Sequence, residues 1–393
     1  MWPFDIPQRF NRLFAKVLLL WGWLFVAAPV MAQTIDTPEA ETDPTPDSLA
    51  LSSPDTAPAK TKKGNWFMRF IKQFDEYDTT YISPNYYNYT AMLQNTNLSQ
   101  SFRMKGTSED GRQQSLSLAP TPGFKIGPYF GWRWLFFGYT FDLGHPSQAT
   151  KTTEFCLSLY SSMIGCDLVW VKNSGDFTID RVTGFSDETK NRVKGMKFSG
   201  MDTYTSSINL YYVFNHRHFS YPAAFAQSTV QRKSCGSWTL GMEYSKQRIK
   251  FDYRRLPAEL ITPTATEGDN PLIDELKIEK IDYYSFSINA GYAYNWVFAR
   301  NCLLSLSFAP SIGFKKSRGE RIEAQEIWKN IRNFKFDFIG RAGLVWNNTR
   351  WFAGASFVTH LYDFQKDNYS VSNNISYLNI YAGFVFNRKR QYR

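Results

Sequence analysis

The sequence predicts an all-β fold: an antiparallel transmembrane β-barrel of about 12 strands, preceded by a signal peptide, a disordered linker and a short amphipathic helix. Three observations predict it. The first is the stretch Phe124 to Leu143, which reads as two strands joined at Gly131–Trp134. Ile126, Pro128, Phe130 and Trp132 alternate with Lys125, Gly127, Tyr129, Gly131 and Arg133, and Leu135, Phe137, Tyr139, Phe141 and Leu143 alternate with Phe136, Gly138, Thr140 and Asp142. A strand turns successive side chains to opposite faces, so one face is apolar and the other small or charged. That pattern fits a wall with lipid outside and a polar lumen inside.

The second observation is the alternation of connections. Those near 132–133, 162–165, 295–300 and 347–350 are short. Those near 107–112, 144–150, 175–195, 254–279, 316–332 and 363–374 are mostly longer and more polar. Tight turns on one side and long loops on the other are the habit of outer-membrane barrels. The third is the placing of Trp132, Trp134, Trp296, Trp346 and Trp351 at short turns, hence on one rim, as an aromatic girdle requires. A soluble barrel or sandwich would alternate in the same way with its apolar face inside. The rim Trp residues, the wide aromatic faces and the N-terminal leader favour the membrane.

Taken in order, residues 1–32 read as a secretory signal. Arg9, Arg12 and Lys16 open it, Val17 to Ala28 is its apolar core, and Val30-Met31-Ala32 offers small residues for cleavage. Residues 33–63 are rich in Pro, Thr, Asp, Ser and Ala and hold too little apolar surface to offset their ordering entropy, so disorder is expected. Residues 64–78 place Trp66, Phe67, Phe70, Ile71 and Phe74 at helical spacing, which predicts a short amphipathic helix. The barrel is expected over 79–393, with strands at 86–106, 113–131, 134–143, 151–161, 166–174, 196–214, 235–253, 280–294, 301–315, 333–346, 351–362 and 375–387. Pro120 and Pro122 should break or bulge the second of them. Strand 280–294 sends Tyr284, Phe286, Ile288, Ala290, Tyr292 and Tyr294 outward and Ser285, Ser287, Asn289 and Gly291 inward.

Composition agrees. Aromatic residues make up 17 % of the chain, and mean hydropathy is −0.39, too low for a bundle of membrane helices but not for a barrel, where only alternate residues meet lipid. The net charge of +10 is scattered, and no nucleic-acid-binding pattern accompanies it, so no nucleic-acid partner is expected. The cysteines, Cys156, Cys166, Cys235 and Cys302, lack metal-ligand spacing. Cys156 should face the lumen and Cys166 lipid, which argues against a bridge between them.

One turn-side connection is too long. Residues 215–234 span twenty positions and gather Asn215, His216, Arg217, His218, Tyr221, Ser228 and Lys233. Loops beyond about 12–15 residues tend to be functional or disordered. Two readings stand: a plug folded into the lumen, or a site for a periplasmic partner. The inward face should also carry Lys125, Arg133, Asp142, Glu154, Glu243, Lys335, Asp337 and Arg341, either as a salt-bridged interior or as a lumen site for a ligand.

Several stretches, YISPNYYNYT (81–90), the run from Ser115 to Gly144, SLYSSMIGCDL (158–168) and YYVFNHRHFSYPAAFAQSTVQRKS (211–234), resemble domain-of-unknown-function family 4421. Its members are Bacteroidota envelope proteins with a signal peptide and an expected β-barrel. The resemblance implies a barrel in the cell outer membrane and no particular activity.

Catalytic motifs such as HExxH, GxSxG and phosphate loops are absent. Ser356 and His360 share a strand face but lie about 13 Å apart, too far to bond. No catalytic residue, cofactor or metal is expected. The reading is a non-enzymatic channel, scaffold or binding protein. A lipid-modifying enzyme using His216, His218 or His360, and a soluble periplasmic barrel, are the alternatives. Expected partners are outer-membrane lipid, the barrel-assembly machinery and a periplasmic protein.

Overall fold

The computed structural model describes residues 76–120, 124–132, 135–138, 141–142, 152–175, 177–262, 271–317, 334–366 and 368–392. The expected signal peptide, the linker and all but the end of the amphipathic helix lie outside them, as does His145.

The strands are β1 (Ile82–Pro84), β2 (Tyr87–Thr107), β3 (Gln113–Pro120), β4 (Lys125–Trp132), β5 (Leu135–Gly138), β6 (Phe141–Asp142), β7 (Thr152–Tyr160), β8 (Ile164–Ser174), β9 (Phe177–Thr183), β10 (Lys197–Phe198), β11 (Met201–Val213), β12 (Thr229–Gln231), β13 (Cys235–Phe251), β14 (Lys280–Ala299), β15 (Cys302–Ser317), β16 (Phe334–Asn347), β17 (Trp351–Lys366) and β18 (Tyr369–Arg388). Three short helices, α1 (Asp187–Val193), α2 (Tyr221–Phe225) and α3 (Ala258–Ile261), lie in connections. Among the described residues sixteen segments form one sheet, and all their pairings are antiparallel. The twelve expected wall strands are there. β3 with β4 is the expected second strand in two pieces, the first ending on Pro120, and β5 with β6 is the third. The remaining two segments, β9 and β10, fall within the connection after β8.

Neighbours along the chain pair from β13 through β18, and β18 pairs with β2 over its whole length. The backbone amide of Lys389 donates to the carbonyl of Tyr86, so the end of the last strand meets the start of the first. The lower part of β2 pairs with β4 and its upper part with β3. At the long-loop end, β9, the next strand along the chain after β8, pairs with β3, and among the described residues no pairing closes the sheet. At the short-turn end, no pairing among the described residues joins β5 or β6 to β7.

The two faces point as expected. On β14, Ile288 is 57 % exposed, and Phe286, Tyr292, Tyr294 and Trp296 are exposed with it, while Ser285, Ser287 and Asn289 are buried. Phe336 on β16 is 69 % exposed, and its neighbours Lys335 and Asp337 are buried. Exterior apolar side chains around a polar interior invert the plan of a water-soluble sandwich. Trp296, Trp346 and Trp351 are exposed at the short-turn rim, joined by Trp238, which is 65 % exposed and packs edge-on against Tyr292.

Three expectations about connections are corrected. The loop placed at 363–374 is a tight turn: β17 runs to Lys366 and β18 starts at Tyr369, because Phe364 and Val371 continue the inward alternation into an apolar cluster. The connections after β8 and β13 are not simply polar loops. Phe177, Ile179, Val182, Phe185 and Val193 from the first, and Leu256, Leu260, Leu272, Ile273 and Leu276 from the second, form one buried core with Phe102, Met104, Leu116, Leu118, Tyr283 and Phe364 of the wall. This apolar cap fills the long-loop end of the barrel.

Candidate functional site

The interior is built from inward-facing positions of strands whose outward neighbours are apolar. Arg341 on β16 and Asp167 on β8 form an ion pair, both buried. The Arg341 guanidinium also lies over the ring of Tyr211, 4.8 Å from its centre. The Asp167 carboxylate accepts from Asn209 Nδ2 at 3.0 Å, and Asn209 Oδ1 accepts from Asn289 at 2.8 Å. Thus β16, β8, β11 and β14 are tied through side chains. Lys335 and Asp337 pair within β16, and Lys335 lies over the Tyr362 ring. Glu243 is buried beside Lys335, Asp337 and Tyr362. A buried charge without a partner is costly, and this arrangement places each of these charges near an opposite one.

Nearer the cap, amides cross the interior. Gln100 Nε2 on β2 donates to Asn373 Oδ1 on β18 at 2.9 Å, and Asn173 Nδ2 on β8 donates to Gln100 Oε1 at 2.5 Å. Asn373 Nδ2 donates to Thr205 Oγ1 on β11 and Gln247 Oε1 on β13, at 3.0 and 3.1 Å. Five strands on different sides of the lumen share one network.

The 215–234 connection fills the other end. Ser220 caps α2, its hydroxyl accepting from the amide of Ala223 at 3.2 Å. Phe219, Tyr221, Ala223 and Ala224 are buried. The hydroxyls of Tyr221 and Ser307 on β15 are 2.7 Å apart, and Gln227 Nε2 donates to the Tyr381 hydroxyl on β18 at 2.6 Å. Gly343 on β16 leaves room for α2: a Cβ there would come within 3.3 Å of the Ala224 carbonyl oxygen. Farther along, β12 pairs with β1, so the chain ahead of the first wall strand is bound to the plug. This part of the connection packs against inward positions of β15, β16 and β18.

The seven candidate residues of the connection therefore divide. Tyr221 enters the lumen. Ser228 lies half-buried in the turn before β12. Asn215, His216, Arg217, His218 and Lys233 stay at the mouth. Asn215 Nδ2 donates to the Gly236 carbonyl at 2.9 Å, and the Arg217 carbonyl accepts from the Asp78 amide at 2.8 Å. His216 Nδ1 is 3.3 Å from the Val213 carbonyl oxygen. His218 Nε2 is 3.5 Å from Asp78 Oδ2, its ring meets Tyr81 edge-on, and Lys233 lies over the other partner in that contact, the Tyr81 ring. Hydrogen bonds from Thr80 hold the Asp78 carboxyl below its usual pKa.

Of the lumen charges, Glu243, Lys335, Asp337 and Arg341 are buried. Lys125 pairs with Glu154 of β7. Arg133 and the side chain of Asp142 lie outside the described residues. Asp167 was missed. Its neighbours on β8, Cys166 and Leu168, are themselves buried, so Cys166 is not the exposed, lipid-facing residue expected, and burial does not set Asp167 apart from them. His360 is buried with no hydrogen-bond partner for either ring nitrogen among the described residues. Its ring lies roughly parallel to those of Tyr362 and Tyr377. No nucleophile is brought to it. The cysteines are all free.

Solved structures similar to this chain include the outer membrane protease OmpT of Escherichia coli, at 9 % identity and a TM-score of 0.33, covering 78 % of this chain and 98 % of that one. The outer membrane protein OprG of Pseudomonas aeruginosa matches at 9 % identity and a TM-score of 0.22, covering 77 % and 98 %. The toluene transporter TodX of P. putida matches at 8 % identity and a TM-score of 0.20, covering 77 % and 91 %. No curated protein matches the chain. The model of the domain of unknown function DUF4421 matches residues 76–386, and the chain belongs to that family.

Proposed function

We propose that this protein is an outer-membrane barrel that works closed, as a non-enzymatic scaffold or binding protein of the cell envelope rather than as a standing pore. One observation carries the reading: α2 occupies the lumen and is bonded to the wall through Tyr221 with Ser307 and Gln227 with Tyr381. The amide network and the apolar cap support it, because removing the plug alone would leave the other end filled. The exposed apolar belt supports a lipid setting, in which outer-membrane lipid is the solvent of the wall and the barrel-assembly machinery inserts it. The mouth formed by β1, β12 and His218 is the surface offered to a periplasmic partner.

The test is conductance with location. Full-length protein is recovered from outer-membrane fractions, shown to migrate heat-modifiably, and reconstituted in planar bilayers. Silent bilayers are expected. Regular single-channel steps from the unmodified chain would rule out the closed reading, and recovery in the soluble periplasmic fraction would rule out the membrane reading.

A further inference from the structure

The two ends of the outer wall differ in chemistry. The short-turn rim carries Trp238, Trp296, Trp346 and Trp351. The outward positions toward the long loops carry cations without Trp, among them Lys172 on β8, Lys250 on β13, Lys280 on β14 and Lys316 on β15, whereas the Trp rim has Arg300, Arg350 and Arg388 beside its rings. One part of this collar is a groove. On β2 the outward residues, read from the Trp rim upward, are Tyr89, Ala91, Leu93, Asn95, Asn97, Ser99, Ser101, Arg103 and Lys105. They pass from apolar through polar to basic within one strand.

Register places the cations together. Arg103 stands opposite Ser117 on β3, and Ser117 stands opposite Arg181 on β9, so two guanidinium groups flank one serine on the same face. Lys105 stands opposite Ser115, whose hydroxyl is 2.7 Å from that of Thr183. On the other side Arg103 and Lys105 face Ser372 and Ser370 of β18. Arg103, Lys105 and Arg181 are exposed and make no ion pair among the described residues. Carboxylates nearby include Asp180, next to Arg181 in the chain, and Asp363, one strand beyond Ser372 and accepting from its hydroxyl at 2.7 Å. Arg103, Lys105, Gln113, Thr183, Gln365 and Ser370 help to line a groove of about 590 Å³ here.

We infer that this groove binds the phosphorylated headgroup of a lipid in the surrounding leaflet. Three things argue for a lipid source over a soluble anion. The groove opens on the outside of the wall, above a polar band that leads down to the apolar belt. The cations have hydroxyl and amide neighbours, which suit a phosphate and its sugar or glycerol oxygens. Outward cations of other strands, Lys172, Lys250, Lys280 and Lys316, lie at the same end as the groove, where anionic headgroups of one leaflet would meet them. The inference rests on the membrane reading above.

The test compares full-length protein with two variants of equal charge loss: Arg103→Gln/Lys105→Gln/Arg181→Gln, which removes two cations of the groove and the one flanking it on β9, and Lys250→Gln/Lys280→Gln/Lys316→Gln away from it. All are extracted into uncharged detergent, and bound lipid phosphorus is measured and identified by mass spectrometry. The groove variant should lose retained phospholipid or glycolipid several-fold, while the collar variant stays near the parent. Equal retention by parent and groove variant overturns the inference, as does displacement of the lipid by inorganic phosphate alone, which would make the seat a soluble-anion site. Outer-membrane recovery and heat-modifiable migration are checked for each protein, so failure of the membrane reading shows separately. Should the triple groove variant not fold, Arg103→Gln and Arg181→Gln singly must each lower retention, and unchanged retention in both overturns the inference.

Discussion

Arg341 on β16 and Asp167 on β8 form a buried ion pair across the inside of the barrel, on strands far apart around the wall. The pair holds the interior to one arrangement. Arg341→Leu would strand Asp167 as a buried unpaired charge, at a cost of about 3–5 kcal/mol. Arg341→Leu with Asp167→Leu should recover most of that loss, since two apolar groups leave nothing unpaired. Urea unfolding of the four proteins of this cycle measures the coupling. Additive losses would mean that the pair is not formed.

The plug should be held chiefly by packing. Tyr221→Ala removes a buried ring and should destabilise by about 3–5 kcal/mol, whereas Tyr221→Phe removes only the contact with Ser307 and should cost about 1 kcal/mol. Gly343→Leu adds a side chain where α2 lies against β16 and should loosen the plug without touching its own sequence. Protease sensitivity of 219–231 from the short-turn side reads this directly. A plug as resistant in Gly343→Leu as in the parent would show that α2 does not sit there.

The cap joins connections to the wall. Leu260 on α3 is fully buried in a cluster that includes Phe102 and Tyr283, so Leu260→Ala should cost about 2–5 kcal/mol. The expected readout is cleavage of the 252–279 connection by protease added to whole cells, slow in the parent and fast in the variant. Equal rates would place that connection outside any packed core.

The hydrogen bond from Thr80 to Asp78 gives a pH dependence with a definite sign. Hydrogen bonds from Thr80 lower the Asp78 pKa. A carboxyl lowered in the folded state contributes stability above its unfolded pKa of about 4 and loses it as pH falls through the lower folded value. Proteolytic release of the segment before β2 should therefore gain no Asp78-dependent step between neutral pH and about 5. Asp78→Asn should speed release throughout that range. A step in that range that vanishes in Asp78→Asn would contradict the assignment.

Much of the wall was legible because a barrel strand writes its two faces into alternate residues. Tyr284 to Tyr294 could be sorted by parity alone, and so could the inward set of Glu243, Lys335, Asp337 and Arg341. The cap was not legible. Phe177, Phe185, Leu256 and Leu272 are scattered among polar residues without a strand or helix period, and their partners are far away in sequence. The turn at 367–368 was hidden for a related reason: Asp363, Gln365, Ser370 and Ser372 face outward beyond the apolar belt, so the upper wall reads as loop. The pairing of β1 with β12 joins segments too short to carry a pattern. The plug itself was half legible, since an overlong connection signals a task but not which way it folds.

The most direct measurement places cysteines at adjacent positions of β14 in a chain whose four native cysteines are replaced by serine. Spin labels at Ile288→Cys and Ser287→Cys are relaxed either by oxygen, which concentrates in the bilayer, or by a water-soluble nickel chelate. The account predicts strong oxygen relaxation at 288 and little at 287. A label at 287 relaxed by oxygen, with 288 open only to the chelate, would contradict it.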